Sequence, residues 1–73
     1  MITYKRIMAK DNGMMQYAFY PEGDLSVPGI VEFAPGKHPK IINESANDVK
    51  RYYALHAMTG IDTAKESGTV AWY

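Results

Sequence analysis

This chain has no cysteine, no excess of either charge and no long hydrophobic run. Without cysteine there are no disulfides or thiolate metal sites, and two histidines alone cannot complete a structural zinc site. Eight basic and eight acidic side chains cancel, so attraction to nucleic acid or to an anionic membrane is weak. The short apolar runs predict neither a signal peptide nor a membrane span. We therefore expect a cytoplasmic protein.

The chain has 73 residues, enough for one small domain that is stabilised by hydrophobic packing alone. Apolar side chains make up 47% of it, and six residues are tyrosines. A core of aromatic and aliphatic side chains can therefore form. We expect residues 1–73 to be a single α+β domain that needs no metal or cofactor.

The first twenty residues predict a β-hairpin. Ile2 to Lys10 and Met14 to Tyr20 mix β-branched, aromatic and charged residues without helical spacing. Asp11-Asn12-Gly13 lies between them and is typical of a tight turn.

Two registers of this hairpin are open. A two-residue turn pairs Met8 with Tyr17, whereas a three-residue loop with a left-handed Gly13 pairs Ile7 with Tyr17. We favour the second, because a slip of one residue brings Arg6 onto the aromatic face of the second strand.

The segment Pro21 to Gly29 predicts a surface loop, because it holds two prolines and two glycines in nine positions. A free loop of this length is hard to order in a small domain. We expect Leu25 and Val27 to attach it to the core.

A second hairpin follows the loop. Ile30 to Ala34 predicts a short strand with Val31 and Phe33 on one side and Glu32 on the other. Proline and then glycine at the two central positions of Ala34–Lys37 predict a type II turn. The chain then returns through Lys40, Ile41 and Ile42.

A helix is predicted over Ala46 to Thr59. Ser45 and Asp48 can cap its first turn, and Gly60 can adopt the left-handed exit conformation. The helical period places one set of residues on the side that faces a sheet. These are Ala46, Val49, Tyr52, Tyr53, His56 and Ala57.

The last six residues, Gly68 to Tyr73, predict a final strand, because two large terminal aromatic residues are rarely left unpacked. The predicted order is β-β-β-β-α-β. The fold class is α+β, with one mostly antiparallel sheet of four to five strands and one helix packed on one face.

A single helix leaves one face of this sheet uncovered, and such faces bind partners. We expect a protein-interaction surface there and on the margins of the helix. The candidate residues are Tyr4, Arg6, Met8, Tyr20, Leu55 and Met58.

Reactive groups at catalytic spacing are missing from the sequence. His56 lies in the apolar stripe of the helix and is most simply a packed histidine. His38 lies in a basic turn, and Glu22 and Asp24 flank a glycine without the spacing of a calcium loop. We predict no catalytic, cofactor-binding or metal-binding residues and no enzyme activity.

Three function classes stay open. The leading hypothesis is a non-enzymatic protein-interaction module, which can include self-association. A nucleic-acid accessory protein is the alternative; it would use the sheet tyrosines with Arg6, Lys10, Lys37 and Lys40. A small enzyme or enzyme subunit around His56 is the third.

Four segments resemble small uncharacterised proteins of prophages and integrated elements in Gram-positive bacteria. They are Tyr20 to Asp24, Pro28 to Val31, Ser45 to Tyr53 and Val70 to Tyr73. The resemblance implies a cytoplasmic accessory protein of a mobile element. It assigns no functional residue.

Overall fold

The structure is a computed structural model, and it describes residues 1–46, 48 and 51–71. Along these residues it has five strands and one helix. In chain order they are β1 (Ile2–Ala9), β2 (Met15–Pro21), β3 (Gly29–Phe33), β4 (Lys40–Asn43), α1 (Tyr52–Gly60) and β5 (Ser67–Val70). The predicted α+β class and the β-β-β-β-α-β order are confirmed.

The strands form one sheet in the order β4-β3-β2-β1-β5, and each neighbouring pair is antiparallel. The first four strands follow one another as hairpins. After β4 the chain crosses one face of the sheet as α1, which contacts β1, β2, β3 and β5. It then returns to pair β5 with β1.

The loop of the first hairpin has the predicted three residues. Gly13 has a left-handed φ of 91°, and its N–H donates to the Lys10 carbonyl at 3.0 Å. The Lys10 N–H donates in turn to the Met14 carbonyl at 2.8 Å. Next to the loop, Met8 pairs with Gln16, so the alternative with a two-residue turn is wrong.

A bulge at Ile7 changes the register in the middle of β1. Arg6 pairs with Tyr17, and Ile7 is left 49% exposed. The predicted pairing of Ile7 with Tyr17 is therefore wrong. An extra residue in one strand moves every preceding side chain to the opposite face, which brings Arg6 and Tyr4 to the side that α1 covers.

Arg6 is held there by several partners. Its guanidinium lies 5.6 Å from the centre of the Tyr17 ring, and Nε donates to the Tyr17 hydroxyl at 3.2 Å. Nη2 donates to the Thr63 carbonyl at 3.1 Å. Arg6 therefore fastens the connection between α1 and β5 to the sheet, and its predicted position on the uncovered face is wrong.

The core lies between the sheet and α1. Its buried members are Ile2, Tyr4, Tyr17, Phe19, Val31, Ala54, Ala57 and Ile61. The Tyr17 ring meets the rings of Tyr4 and Phe33 edge-on, with centroids 5.7 and 5.8 Å away. Tyr4 is only 5% exposed, so its predicted place on the uncovered face is also wrong.

The helix begins later than predicted, at Tyr52 instead of Ala46. The N-cap position is Arg51, which makes no side-chain capping bond. Asp48, three residues earlier, caps the first turn instead, because its two carboxylate oxygens accept from the Tyr53 N–H at 3.1 Å and the Ala54 N–H at 2.9 Å. Ser45 has another role, since its hydroxyl donates to the Val27 carbonyl. Ala46 lies in a turn and Asp48 lies outside the helix. Arg51, which directly precedes Tyr52, has a left-handed φ of 61° that interrupts the helical backbone at that point.

The buried side of α1 differs in part from the predicted stripe. Ala54 and Ala57 are buried, and Tyr53 and Met58 pack against the core from its margin. Tyr52, predicted to face the sheet, is mostly exposed. The stripe was drawn from a start six residues too early, and its member Val49 lies outside the described residues.

Gly60 stays within the helix and does not adopt the predicted left-handed exit. Its missing side chain matters for another reason, because a Cβ there would lie 2.5 Å from Val70 Cγ1. This close approach lets β5 pass beside the end of α1. β5 ends at Val70, and the predicted packing of Trp72 and Tyr73 lies outside the described residues.

The second hairpin follows its prediction. Gly36 has a φ of 73°, and the Lys37 N–H donates to the Ala34 carbonyl at 3.1 Å. Val31 and Phe33 face the core, and Glu32 faces the other way. The loop before it differs from expectation: Val27 is partly buried, but Leu25 is 72% exposed and does not attach the loop to the core.

Candidate functional site

The sheet face opposite α1 is the candidate site, and we call it the open face. In the described part of the chain, no helix packs on it. The strand pairing places twelve side chains there. They are Thr3, Lys5, Met8, Gln16, Ala18, Tyr20, Ile30, Glu32, Lys40, Asn43, Ser67 and Thr69.

A charged group near the middle of the open face is neutralised locally. Glu32 accepts from the Gln16 amide at 2.9 Å and lies 3.2 Å from the Lys40 ammonium. These contacts, the Gln16 hydrogen bond first, hold the pKa of Glu32 below its ordinary value of 4.5. The carboxylate is therefore ionised and paired at neutral pH, and another surface can cover it without leaving a lone charge.

The centre of the open face is apolar and low. Ala18 lies in the central strand and is only 5% exposed, because its larger neighbours surround it. Met8 is 42% exposed, and Ile30 is partly buried. Across the strands, Ala18 lies between Lys5 and Ile30. Its small side chain allows a second surface to approach closely.

A groove of about 490 Å³ crosses one side of the open face, over β1 and β5. Its side-chain lining consists of Thr3, Lys5, Tyr20, Leu25, Ser67 and Thr69. The side chains of β5 are small, whereas Tyr20 and the exposed Leu25 are large. This difference in height makes the groove.

Two polar groups of the groove have unused bonding capacity. The Thr3 hydroxyl is covered and has no hydrogen-bond partner, which costs about 1–3 kcal/mol for a buried group. Lys5 is exposed, and among the described residues no carboxylate pairs with it. Across the strand pair, Thr3 lies opposite Thr69 and Lys5 opposite Ser67.

The six predicted interaction residues lie in three places. Met8 and Tyr20 are on the open face, as expected. Tyr4 and Arg6 are on the covered face because of the bulge at Ile7. The last two, Leu55 and Met58, are on α1, where Leu55 is 51% exposed and Met58 packs against the core.

Sequence reasoning missed the groove. Leu25, which the sequence predicts to pack inward, is 72% exposed. The bulge at Ile7 determines the faces of Thr3 and Lys5, and no local pattern marks that bulge. The only early signal was the run of small residues from Ser67 to Thr69, which leaves room beside Lys5.

The described residues offer little for catalysis or metal binding. They contain no group of three metal-ligating side chains. His56 is partly buried on α1, and His38 is exposed in the loop between β3 and β4. The absence of enzyme activity stays a prediction.

Comparison with protein-family models, curated proteins and solved structures finds no match for this chain. The two faces of the sheet are therefore the basis for a proposal of function.

Among the described residues, no helix has the length and hydropathy that crossing a membrane requires.

Proposed function

We propose that this chain is a non-enzymatic protein-interaction module whose open face binds a second copy of the chain. One observation carries the proposal: the sheet uses one face for its core, and no described element covers the other face, where Met8 is 42% exposed and Ile30 is partly buried. Burying Met8 and Ile30 against a copy removes apolar surface from water and adds stability to a small domain.

Electrostatics favours a second copy as the occupant. The net charge is +0, so two copies do not repel each other strongly. Glu32, in the middle of the contact, is already neutralised by Lys40 and Gln16. Covering this region therefore leaves no buried carboxylate unpaired.

The size of the molecule is also sufficient. A stable interface takes about 800 Å² from each partner. That is roughly one sixth of the 4702 Å² accessible surface of this chain. One face of a two-layer domain can supply such an area.

Sedimentation velocity across a wide range of concentrations tests the proposal. The unmodified chain should shift from monomer to dimer as concentration rises. Met8→Lys and Ile30→Lys, which place a charge on the open face, should keep the chain monomeric at concentrations where the unmodified chain is dimeric.

Leu55→Lys is the matched control, because Leu55 is also an exposed apolar residue, at 51% against 42% for Met8, but lies on α1. It should dimerise like the unmodified chain. A monomer at every concentration contradicts self-association. Dimers that survive both open-face changes but are lost in Leu55→Lys place the contact on the helix instead.

The nucleic-acid alternative is less well supported. Arg6 is engaged with Tyr17 and with loop carbonyls, and Tyr4 is buried. Lys40 is paired with Glu32. This leaves Tyr20 with Lys5 as the aromatic and basic pair that a single strand could use on the described open face.

The cellular setting belongs to the same proposal. The resemblance to prophage proteins supports an accessory role in a mobile element, and a cytoplasmic location is part of that proposal. If the chain is monomeric, the proposal becomes that the open face binds a different protein.

A further inference from the structure

The outer edge of β5 is a second feature of the sheet with a distinct binding capacity. β5 ends the strand order, and among the described residues no strand pairs with its outer side. The Arg6 N–H donates to the Glu66 carbonyl at 2.7 Å. Because hydrogen-bonded and non-hydrogen-bonded pairs alternate, the backbone N–H and C=O groups of Ser67 and Thr69 point away from β1.

The side chains beside this edge form two rows on the open face. One row runs from Ser67 to Lys5. The other runs from Thr69 through Thr3 to Tyr20. Because Ser67 and Thr69 are short, long side chains of an added strand can lie across them and reach the second member of each row.

The two rows have different chemistry. The first row contains the ammonium group of Lys5, and no carboxylate among the described residues pairs with it. The second ends at the groove wall formed by Tyr20 and Leu25, next to the unpartnered Thr3 hydroxyl. A strand added at this edge would complement Lys5 with a carboxylate placed over Ser67. It would complement the apolar groove wall with an apolar side chain placed over Thr69.

We propose that β5 accepts an extended segment of another protein as a sixth, antiparallel strand. The segment places an acidic side chain opposite Ser67, where it pairs with Lys5. It places an aromatic or aliphatic side chain opposite Thr69, which extends over Thr69 and Thr3 towards the groove wall of Tyr20 and Leu25. Main-chain hydrogen bonds to the edge give affinity, and these two side chains give specificity.

The antiparallel direction fixes the order of the two side chains. The residue opposite Thr69 comes before the residue opposite Ser67 along the added strand. The expected pattern is therefore apolar, any residue, acidic. This site lies at the β5 side of the open face, next to the Met8 and Ile30 region. A dimer that covers the whole face would compete with the peptide, so peptide binding is also measured on the Ile30→Lys chain, which stays monomeric if the proposed function holds.

The probe is the capped peptide acetyl-Thr-Thr-Phe-Thr-Glu-Thr-Thr-amide, titrated into the full-length isotope-labelled chain and followed by two-dimensional amide NMR. The amide signals of Lys5, Ser67 and Thr69 should shift, and the Ser67 and Thr69 amides should exchange more slowly with solvent. Two comparison peptides have lysine in place of glutamate, or the order Glu-Thr-Phe. The lysine peptide should bind roughly two- to fivefold more weakly, as for an exposed ion pair, and the reversed peptide should also bind more weakly.

Backbone methylation of the peptide distinguishes strand addition from simple side-chain contact. Methylating the phenylalanine and glutamate nitrogens removes the N–H groups that face β5, and binding should fall by about tenfold or more. Methylating the threonine nitrogen between them alters an N–H that points away from β5. That peptide should bind like the original.

Charge reversal in the protein completes the test. Lys5→Glu should weaken the glutamate peptide and strengthen the lysine peptide, and Lys5→Gln should remove the preference between them. Ile30→Lys, which lies outside the groove, should bind the peptide at least as tightly as the unmodified chain while it loses dimers.

Three outcomes overturn the inference. They are no amide shifts at the highest soluble peptide concentration, equal loss of binding from both methylation patterns, and binding that does not respond to the charge of residue 5. Because dimerisation is measured without peptide, its failure and the failure of this site are separate results.

Discussion

The two faces of the sheet differ in what they do with similar residues. On the covered face, Tyr17 and Phe19 of β2 are fully buried under α1. On the open face, the same strand places Ala18 opposite Lys5 and Tyr20 opposite Thr3, and exposed Met8 lies further along β1, opposite Gln16. Apolar residues therefore occur on both sides of β2, and only one side is packed within the monomer. The open face therefore has apolar surface that no described element of the chain covers.

The largest expected effect on stability comes from a substitution in the core beneath the covered face. Phe19→Ala should lower the free energy of unfolding by about 3–5 kcal/mol, because it leaves a cavity in the middle of the core. Ile30→Ala, on the open face, should cost roughly a third of that, since Ile30 is only partly buried. Urea unfolding followed by circular dichroism at low protein concentration measures both. Equal losses would show that the open face is packed in the monomer.

The next effect concerns how α1 is attached to the covered face. Asp48→Ala removes the acceptor for the Tyr53 and Ala54 N–H groups and should cost about 1–2 kcal/mol. The control is Asp62→Ala, which removes a carboxylate that accepts a single exposed N–H, from Ala64. It should cost well under half as much. If the two variants unfold alike, Asp48 is not the effective cap.

Lowering the pH tests the contacts of the Glu32 carboxylate on the open face. The pKa of folded Glu32 lies below 4.5 because of Gln16 and Lys40. Its contribution to stability is therefore fully present above pH 4.5 and is lost as pH falls through the folded pKa. The stability difference between the unmodified chain and Glu32→Gln should shrink across that range. A difference that is constant with pH would contradict the pairing.

The smallest expected effect on stability is at the groove wall. Leu25→Ser should change the free energy of unfolding by less than about 0.5 kcal/mol, because the side chain is 72% exposed. The same change should weaken the Phe-containing peptide while leaving dimerisation intact. A stability loss comparable to that of Asp48→Ala would mean that Leu25 holds its loop in place.

The two hairpin turns and the faces of β3 could be predicted from local sequence. Asp11-Asn12-Gly13 and Ala34–Lys37 carry turn chemistry that is decided within a few residues, and both turns formed as expected. The alternation of Val31, Glu32 and Phe33 likewise reports their faces. These features depend on backbone preferences and the period of a strand, which a sequence displays directly.

The faces of β1 could not be predicted as well, because one extra residue in that strand exchanges the side chains of its first half between the open and the covered face. Nothing local marks Ile7 as a bulge; Arg6 reaches Tyr17, Thr63 and Lys65 only after the whole fold is assembled. The late start of α1 has a similar origin. Asp48 and Ser45 both have cap chemistry, and the contact of Ser45 with Val27 decides between them.

The central claim is that the open face, and not the covered face or α1, is where this molecule meets a second copy. A dilution series followed by two-dimensional amide NMR tests it most directly. We predict concentration-dependent shifts for the amides of Met8, Ala18 and Ile30, with those of Leu55 and Ala57 unchanged. Shifts centred on α1, or a spectrum that does not change with concentration, would contradict the account.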